Sequence, residues 1–152
     1  MPLTDILTPA AVIPALRVNS KKQVLQELAG KAAELTGQNE RAVLDVLVQR
    51  EKLGSTAVGG GIAIPHGKLP KLETLFGLFA RLGRPVDFEA LDNQAVDLIF
   101  LLLAPERAGA DHLKALARVA RLLREPAIAR KLRDSEDAAA LYSVLTLAPG
   151  QG

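Results

Sequence analysis

Cysteine is absent from the 152 residues. That excludes a disulfide framework, a thiolate nucleophile and cysteine-ligated zinc, and it agrees with a reducing, cytoplasmic setting. Tryptophan is also absent and aromatics make up 3% of the chain, so the core must come from Leu, Val, Ile and Ala. No charge of one sign dominates: 19 basic residues face 17 acidic ones, a net +2, which leaves no strong electrostatic footprint for nucleic acid. Long apolar runs are missing. The longest, Leu98 to Ala104, falls far short of the roughly 20 residues of a membrane helix. The opening MPLTDILTPA has neither the basic start nor the apolar stretch of a signal peptide. These absences predict a soluble cytoplasmic protein with no membrane insertion. Two histidines, His66 and His112, are the whole histidine complement, too few without cysteine for a usual zinc ligand set.

What is present organises itself into helices and strands. Residues 3–7 read as a turn of helix, and Ile13 to Val18, which contains Pro14, as a short edge strand. Ser20 with Gln23 matches a capping box and opens a helix whose Val24, Leu25, Leu28, Ala32 and Leu35 recur at helical spacing until Gly37. Asn39 caps a second helix that buries Val43, Leu44, Leu47 and Val48 and runs out near Gly54. The spacing then changes. Three consecutive glycines, Gly59 to Gly61, exclude a helix interior, Ile62 to Ile64 read as extended, and Pro65 keeps Ile64 out of helical angles. His66 is thereby expected at the end of an extended segment.

Leu75 to Leu82 and Val96 to Ala104 read as strands. The second is almost continuously apolar and is predicted to be covered on both faces. A helix follows over Asp111 to Arg124, with Leu113, Leu116, Ala117, Ala120 and Leu123 expected inward and Lys114, Arg118, Arg121 and Arg124 outward. Pro126 opens another helix to Arg133. Ser135 is expected to cap the last one, with Leu141, Val144 and Leu145 buried. Strands and helices do not alternate regularly. The expected fold is a single α/β domain over 1–147, three layers with a mixed β-sheet and helices on both faces, followed by a flexible tail at 148–152.

The candidate chemistry centres on the histidines. His66 stands at a strand end, His112 in the first turn of a helix after a strand, and such ends are where α/β domains place their sites. A neutral imidazole is a competent nucleophile at cellular pH. A phosphoryl group on it needs donors for three oxygens. The hydroxyls of Ser55 and Thr56, the amides of Gly59 to Gly61, Gly61 included, and the amide of Gly67 are candidates. Arg50 offers fixed positive charge, and a second imidazole can stabilise charge in transfer. Local loop capping by Ser55 and Thr56 is at least as strong a reading as phosphate contact. The glycines do not open a helix, so no nucleotide fingerprint applies. The basic residues of 111–133 read most simply as a solvated face.

The run REKLGSTAVGGGIAIPHGKL, residues 50–69, resembles the active-site signature of enzyme IIA domains of the fructose–mannitol class. These belong to the bacterial phosphoenolpyruvate phosphotransferase system. DHLKALARVARLL, residues 111–123, resembles the region carrying the second active-site histidine. The IPHGK ending and FEALDNQAVDLIFLLLAP are most similar to the nitrogen-regulatory subclass. The resemblance implies that His66 is the phosphorylated residue, His112 its accessory and Arg50 the active-site arginine. It implies no cofactor. The implied donor is a small histidine phosphocarrier protein, itself charged from phosphoenolpyruvate. The implied role is regulatory: the phosphorylation state sets which targets are bound, components of potassium uptake among them. Two competing readings are a sugar-transport enzyme IIA that passes phosphate to a permease-linked component, and a regulatory binding module that works without phosphorylation. Docking to the carrier is expected to be small, below about 1,200 Å², with Leu53, Ile64 and Leu69 as apolar contacts.

Overall fold

A computed structural model describes residues 2–147, so the tail expected at 148–152 lies outside the described residues. Six strands and five α-helices follow one another as β1 (Val12–Leu16), α1 (Lys21–Thr36), α2 (Glu40–Lys52), β2 (Ala57–Gly59), β3 (Ile62–Ala63), β4 (His66–Leu69), β5 (Phe76–Val86), β6 (Val96–Pro105), α3 (Ala110–Arg124), α4 (Pro126–Arg133) and α5 (Ala138–Leu147). Two short 3₁₀ turns, Leu3–Asp5 and Pro9–Ala11, precede β1.

β6 is the axis of the sheet. β5 pairs with it antiparallel on one side, and β3 and β4 pair with it in parallel on the other. β1 runs parallel beyond β5, and β2 closes a hairpin on β3. The sheet is mixed and open, as its irregular alternation with helices foretold. Residues Leu98 to Ala104 are fully buried, which explains why this run shows no polar alternation. Around it packs one aliphatic cluster in which Phe79, Phe88 and Phe100 are also fully enclosed.

The helix starts follow from local chemistry. Ser20 accepts from the Gln23 amide at 3.2 Å, and the Gln23 side chain accepts from the Asn19 amide, one residue ahead of the cap. Asn39 accepts from the Ala42 amide at 2.9 Å. The last helix differs from expectation. Asp137, not Ser135, is the cap, accepting from the Ala140 amide at 2.9 Å, while the Ser135 hydroxyl accepts from Asp137 and tightens the preceding turn.

Strand β4 positions the site. In sequence, His66 is expected to end an extended segment; in the fold it begins one. Residues 62–69 keep a single register against β6, with Ile62 opposite Leu98 and His66 opposite Leu102. Pro65 has no N–H to give, but its carbonyl still accepts from the Leu102 amide at 3.0 Å. The strand therefore continues through the proline. Alternation then sends neighbours to opposite faces. Gly67 turns to α2, where a Cβ would lie 2.9 Å from Cγ2 of Val46. His66 turns the other way, to α3. Helices thus cover both faces. Among the described residues no helix is long and apolar enough to cross a membrane.

Candidate phosphoryl-transfer site

His66 is half-buried at the start of β4, and His112 lies in the first turn of α3 at 8% exposure. Their ring centroids are 5.5 Å apart, with planes inclined by 56°. The fold brings together the two histidines that lie 46 positions apart in the chain. Nδ1 of His66 is 2.9 Å from the carbonyl of Ile64. A carbonyl only accepts, so Nδ1 carries the proton and Nε2 of the neutral ring keeps its lone pair. The other contact agrees: Arg50 donates from Nε to Nε2 of His66 at 3.2 Å. Arg50 is itself anchored, donating from Nη1 to the Gly54 carbonyl at 2.9 Å, beyond the end of its helix.

Burial holds the His66 pKa below its ordinary value, and the Arg50 guanidinium pushes the same way. The Ile64 hydrogen bond and the Glu51 carboxylate oppose them without prevailing. Burial also lowers the His112 pKa, with smaller contributions from His66 and Lys68. Both rings are neutral near pH 7. Among the described residues, Nε2 of His112 is buried without a hydrogen-bond partner. An unpaired buried polar atom costs free energy, and here it stands beside His66.

A cleft of about 310 Å³ opens beside His66, lined by Arg50, Ser55, Thr56 and Ile64 on one side and by Leu116, Ala117 and Ala120 of α3 on the other. The two hydroxyl side chains border it but are already engaged. Ser55 donates to the Phe88 carbonyl at 2.7 Å and accepts from the Ala57 amide. Thr56 donates to the Glu51 carboxylate. Ser55 thus ties its loop to Phe88, 33 positions away, and Thr56 ties it back to the end of α2.

The glycines expected as phosphate donors are placed elsewhere. Gly59, Gly60 and Gly61 all have positive φ, at 95°, 68° and 81°, a turn that side chains rarely allow. The Gly60 amide donates to Asp92. Gly61 faces Arg133 and Asp97, where an added Cβ would come within 2.7 Å of the guanidinium. It stands roughly 16 Å up the strand from His66 at the extended rise per residue. Gly67 lies inside the β4–β6 ladder opposite Leu103, and it is glycine because of Val46. Two of the expected docking contacts also need correction: Ile64 and Leu69 are buried at 3% and 1% exposure, whereas Leu53 is 84% exposed. Leu69 lies on the Gly67 side of β4, toward α2, and Ile64 forms part of the floor of the cleft.

Glu51 is the site residue that sequence reasoning missed. Its side chain is 7% exposed and lies 2.9 Å from Nζ of Lys21. It accepts from both the amide and the hydroxyl of Thr56. Lys21 also reaches Glu89 at 3.1 Å and sits 4.9 Å from the ring centre of Phe88. The cleft wall at Ser55 and Thr56 is thus tied into the core. The signal was adjacency, since Glu51 follows Arg50 within the quoted run.

An imidazole with a defined lone pair and a fixed guanidinium in one open cleft, with a second neutral imidazole packed beside the first, make a site that could carry an anionic group covalently. The sequence profile of the family "Phosphoenolpyruvate-dependent sugar phosphotransferase system, EIIA 2" matches residues 5–147, and the chain belongs to that family. A relative named "Nitrogen regulatory protein" from Bradyrhizobium diazoefficiens is 75% identical over 149 residues, covering 98% of this chain and 97% of that one. The crystal structure of Nitrogen Regulatory Protein IIA-Ntr from Neisseria meningitidis superposes with a TM-score of 0.90 at 34% identity, over 95% of this chain and 99% of that one. IIA mannitol from Escherichia coli has the same fold, with a TM-score of 0.79 at 16% identity over 91% and 98% of the two chains. Within the family, the chain is similar at up to 75% identity to members named for nitrogen regulation.

Proposed function

We propose that the protein carries a phosphoryl group on Nε2 of His66 and acts as a regulator of the phosphotransferase system. One observation carries this reading. The Ile64 carbonyl holds the proton on Nδ1 and so leaves Nε2 as the nucleophile in the cleft. In the transfer, the Nε2 lone pair attacks the phosphorus of a phosphohistidine on the carrier protein. The new P–N bond forms as the carrier's P–N bond breaks, and the electron pair of that bond returns to the carrier's ring. His66 becomes an imidazolium-like phosphohistidine, and Nδ1–H donates to Ile64 throughout. Arg50 gives up its hydrogen bond to Nε2 and turns the guanidinium to the phosphoryl oxygens, a match of planar donor fork to anion. His112 stands near enough to offer a further N–H to the same charge. Arg50 and His112 are the residues assigned to phosphoryl binding. Ser55, Thr56, Gly61 and Gly67 shape the walls and the strand.

The regulatory role rests on the relatives named for nitrogen regulation, and it extends to the targets that the sequence resemblance implies, potassium-uptake components among them. The test is phosphorylation with enzyme I, the small histidine carrier and phosphoenolpyruvate. The expected product is one acid-labile, base-stable phosphoryl group per chain, lost in His66→Ala. No gain of mass in the wild type sinks the reading. Partner capture by the phosphorylated and unphosphorylated forms then tests regulation. Identical captures by both forms would favour a module that works without phosphorylation.

A further inference from the structure

The net charge of +2 conceals a polarised molecule. Residues 110–133, which span α3 and α4, hold seven basic and two acidic side chains, a net +5, while the remaining 12 basic and 15 acidic residues leave −3. Arg133 is committed to Asp97 at 2.9 Å. Lys114, Arg121 and Arg124 are exposed on α3 and form no ion pair among the described residues. Lys114, Arg118 and Arg121 border a hollow of about 350 Å³ together with Leu75 and Asp111.

The same helix forms the rim of the His66 cleft. Leu116, Ala117 and Ala120 line that cleft, and Leu113, one turn earlier, is 66% exposed. Its solvent face therefore has an apolar strip on the cleft side and a basic rail alongside. Like charges one turn apart on the exposed face of a helix, as in Arg121–Arg124, repel one another. A partner that supplies carboxylates removes that repulsion, and one that reaches His66 must lie against this helix.

We propose that the exposed face of α3 is the docking surface for the phosphoryl donor, and that the donor meets it with acidic residues beside an apolar contact. The proposal rests on the phosphoryl-carrier reading above. Long-range attraction of this kind acts mainly on the association rate and is screened by salt. A donor with a basic docking face is disfavoured by the same charges, so α3 also selects among carriers.

The test uses the full chain with the small histidine carrier of the same organism as donor. The second-order rate of His66 phosphorylation is measured from about 0.05 M to about 0.5 M KCl, a range over which the screening length shortens severalfold. The expected wild-type rate falls by about tenfold or more across that range. Lys114→Glu combined with Arg121→Glu, with circular dichroism matching the wild type, should lower the low-salt rate by roughly 10- to 100-fold and flatten the salt dependence. Lys114→Ala with Arg121→Ala should fall between the two. Titration with the unphosphorylated carrier separates a protein face from a field acting on the phosphoryl group alone. Binding that weakens with salt supports the acidic face, and salt-independent binding overturns it. A wild-type rate that does not fall with salt, or a folded double reversal as fast as the wild type, also overturns the docking surface. Failure of the wild type to be phosphorylated at all would instead remove the carrier reading beneath it.

Discussion

Replacing Glu51 with alanine removes the acceptor shared by the Thr56 amide and the Thr56 hydroxyl, and it takes from Lys21 its shorter ion pair. Thr56 is 5% exposed, so water does not readily replace the lost partner. Each buried donor left unsatisfied costs about 1–3 kcal/mol. Lys21 retains Glu89, a pair open to solvent on the Glu89 side, and such pairs contribute at most about 1 kcal/mol. The loss expected for Glu51→Ala is therefore about 3–5 kcal/mol, the range for breaking a buried ion pair. For a chain of this size that lowers Tm by roughly 6–20 °C. Glu51→Gln keeps an oxygen for the Thr56 amide and should cost only about 1–2 kcal/mol. The assay is urea unfolding followed by far-ultraviolet circular dichroism, with the slope compared as well as the midpoint. An alanine variant within about 0.5 kcal/mol of the wild type, the ordinary range for surface substitutions, would refute the role given to Glu51. So would a glutamine variant less stable than the alanine one. A second readout is independent of stability. Glu51 favours the charged His66 ring, so Glu51→Gln should move the His66 pKa further down in a histidine NMR titration.

Other outcomes follow from the same geometry. Since the His66 and His112 pKa values are both depressed, the unfolded chain binds protons first as pH falls. Stability should be fully present above about pH 6.5, decline below it and level off under the folded-state values, with His112→Gln removing part of the slope in pH-dependent unfolding. The phosphorylation rate should persist below pH 6.5, where an unperturbed histidine is already half protonated; a midpoint at 6.5 or above contradicts the lowered pKa. Gly67→Ala should destabilise by about 1–3 kcal/mol through its clash with Val46, and Val46→Ala should restore part of that loss in denaturant titration. Arg50→Lys cannot donate to Nε2 of His66 and the Gly54 carbonyl in the same fixed fork. Steady-state phosphorylation should fall, and an unchanged level would mean that Arg50 is only a helix-end cation.

Much of this molecule was legible because its signals are local. Ser20 and Asn39 announce their helices by the shape of their side chains, and the run through Leu98 to Ala104 announces a covered strand by composition. The strand that begins at His66 was not legible in that way. Pro65 and Gly67 look like an ending, and only β6, some 36 residues away along the chain, supplies the carbonyls and amides that carry the strand onward. The inward face of α3 was misjudged for a related reason. Leu113 was expected inside and points to water, while Ala115 and Val119 are buried. The buried stripe runs through His112, Ala115, Val119, Leu122 and Leu123, about one position round the helix from the expected one, so Leu113 and Ala117 both face outward. The histidine pair, Arg50 and their family resemblance were readable from the chain. The engagement of Ser55 and Thr56 was not, because their partners Phe88 and Glu51 are chosen by the fold.

The hydroxyl of Tyr142 donates to the carbonyl of Leu7 at 3.3 Å, so the segment after α4 and the segment before β1 are stitched together along the β1 margin of the sheet. That margin is three strand spacings from β4 in the order β1, β5, β6, β4, roughly 14 Å across the sheet. The stitch between Leu7 and Tyr142 therefore lies on the flank remote from His66, and a change there, such as Tyr142→Phe, would loosen that margin without touching the cleft.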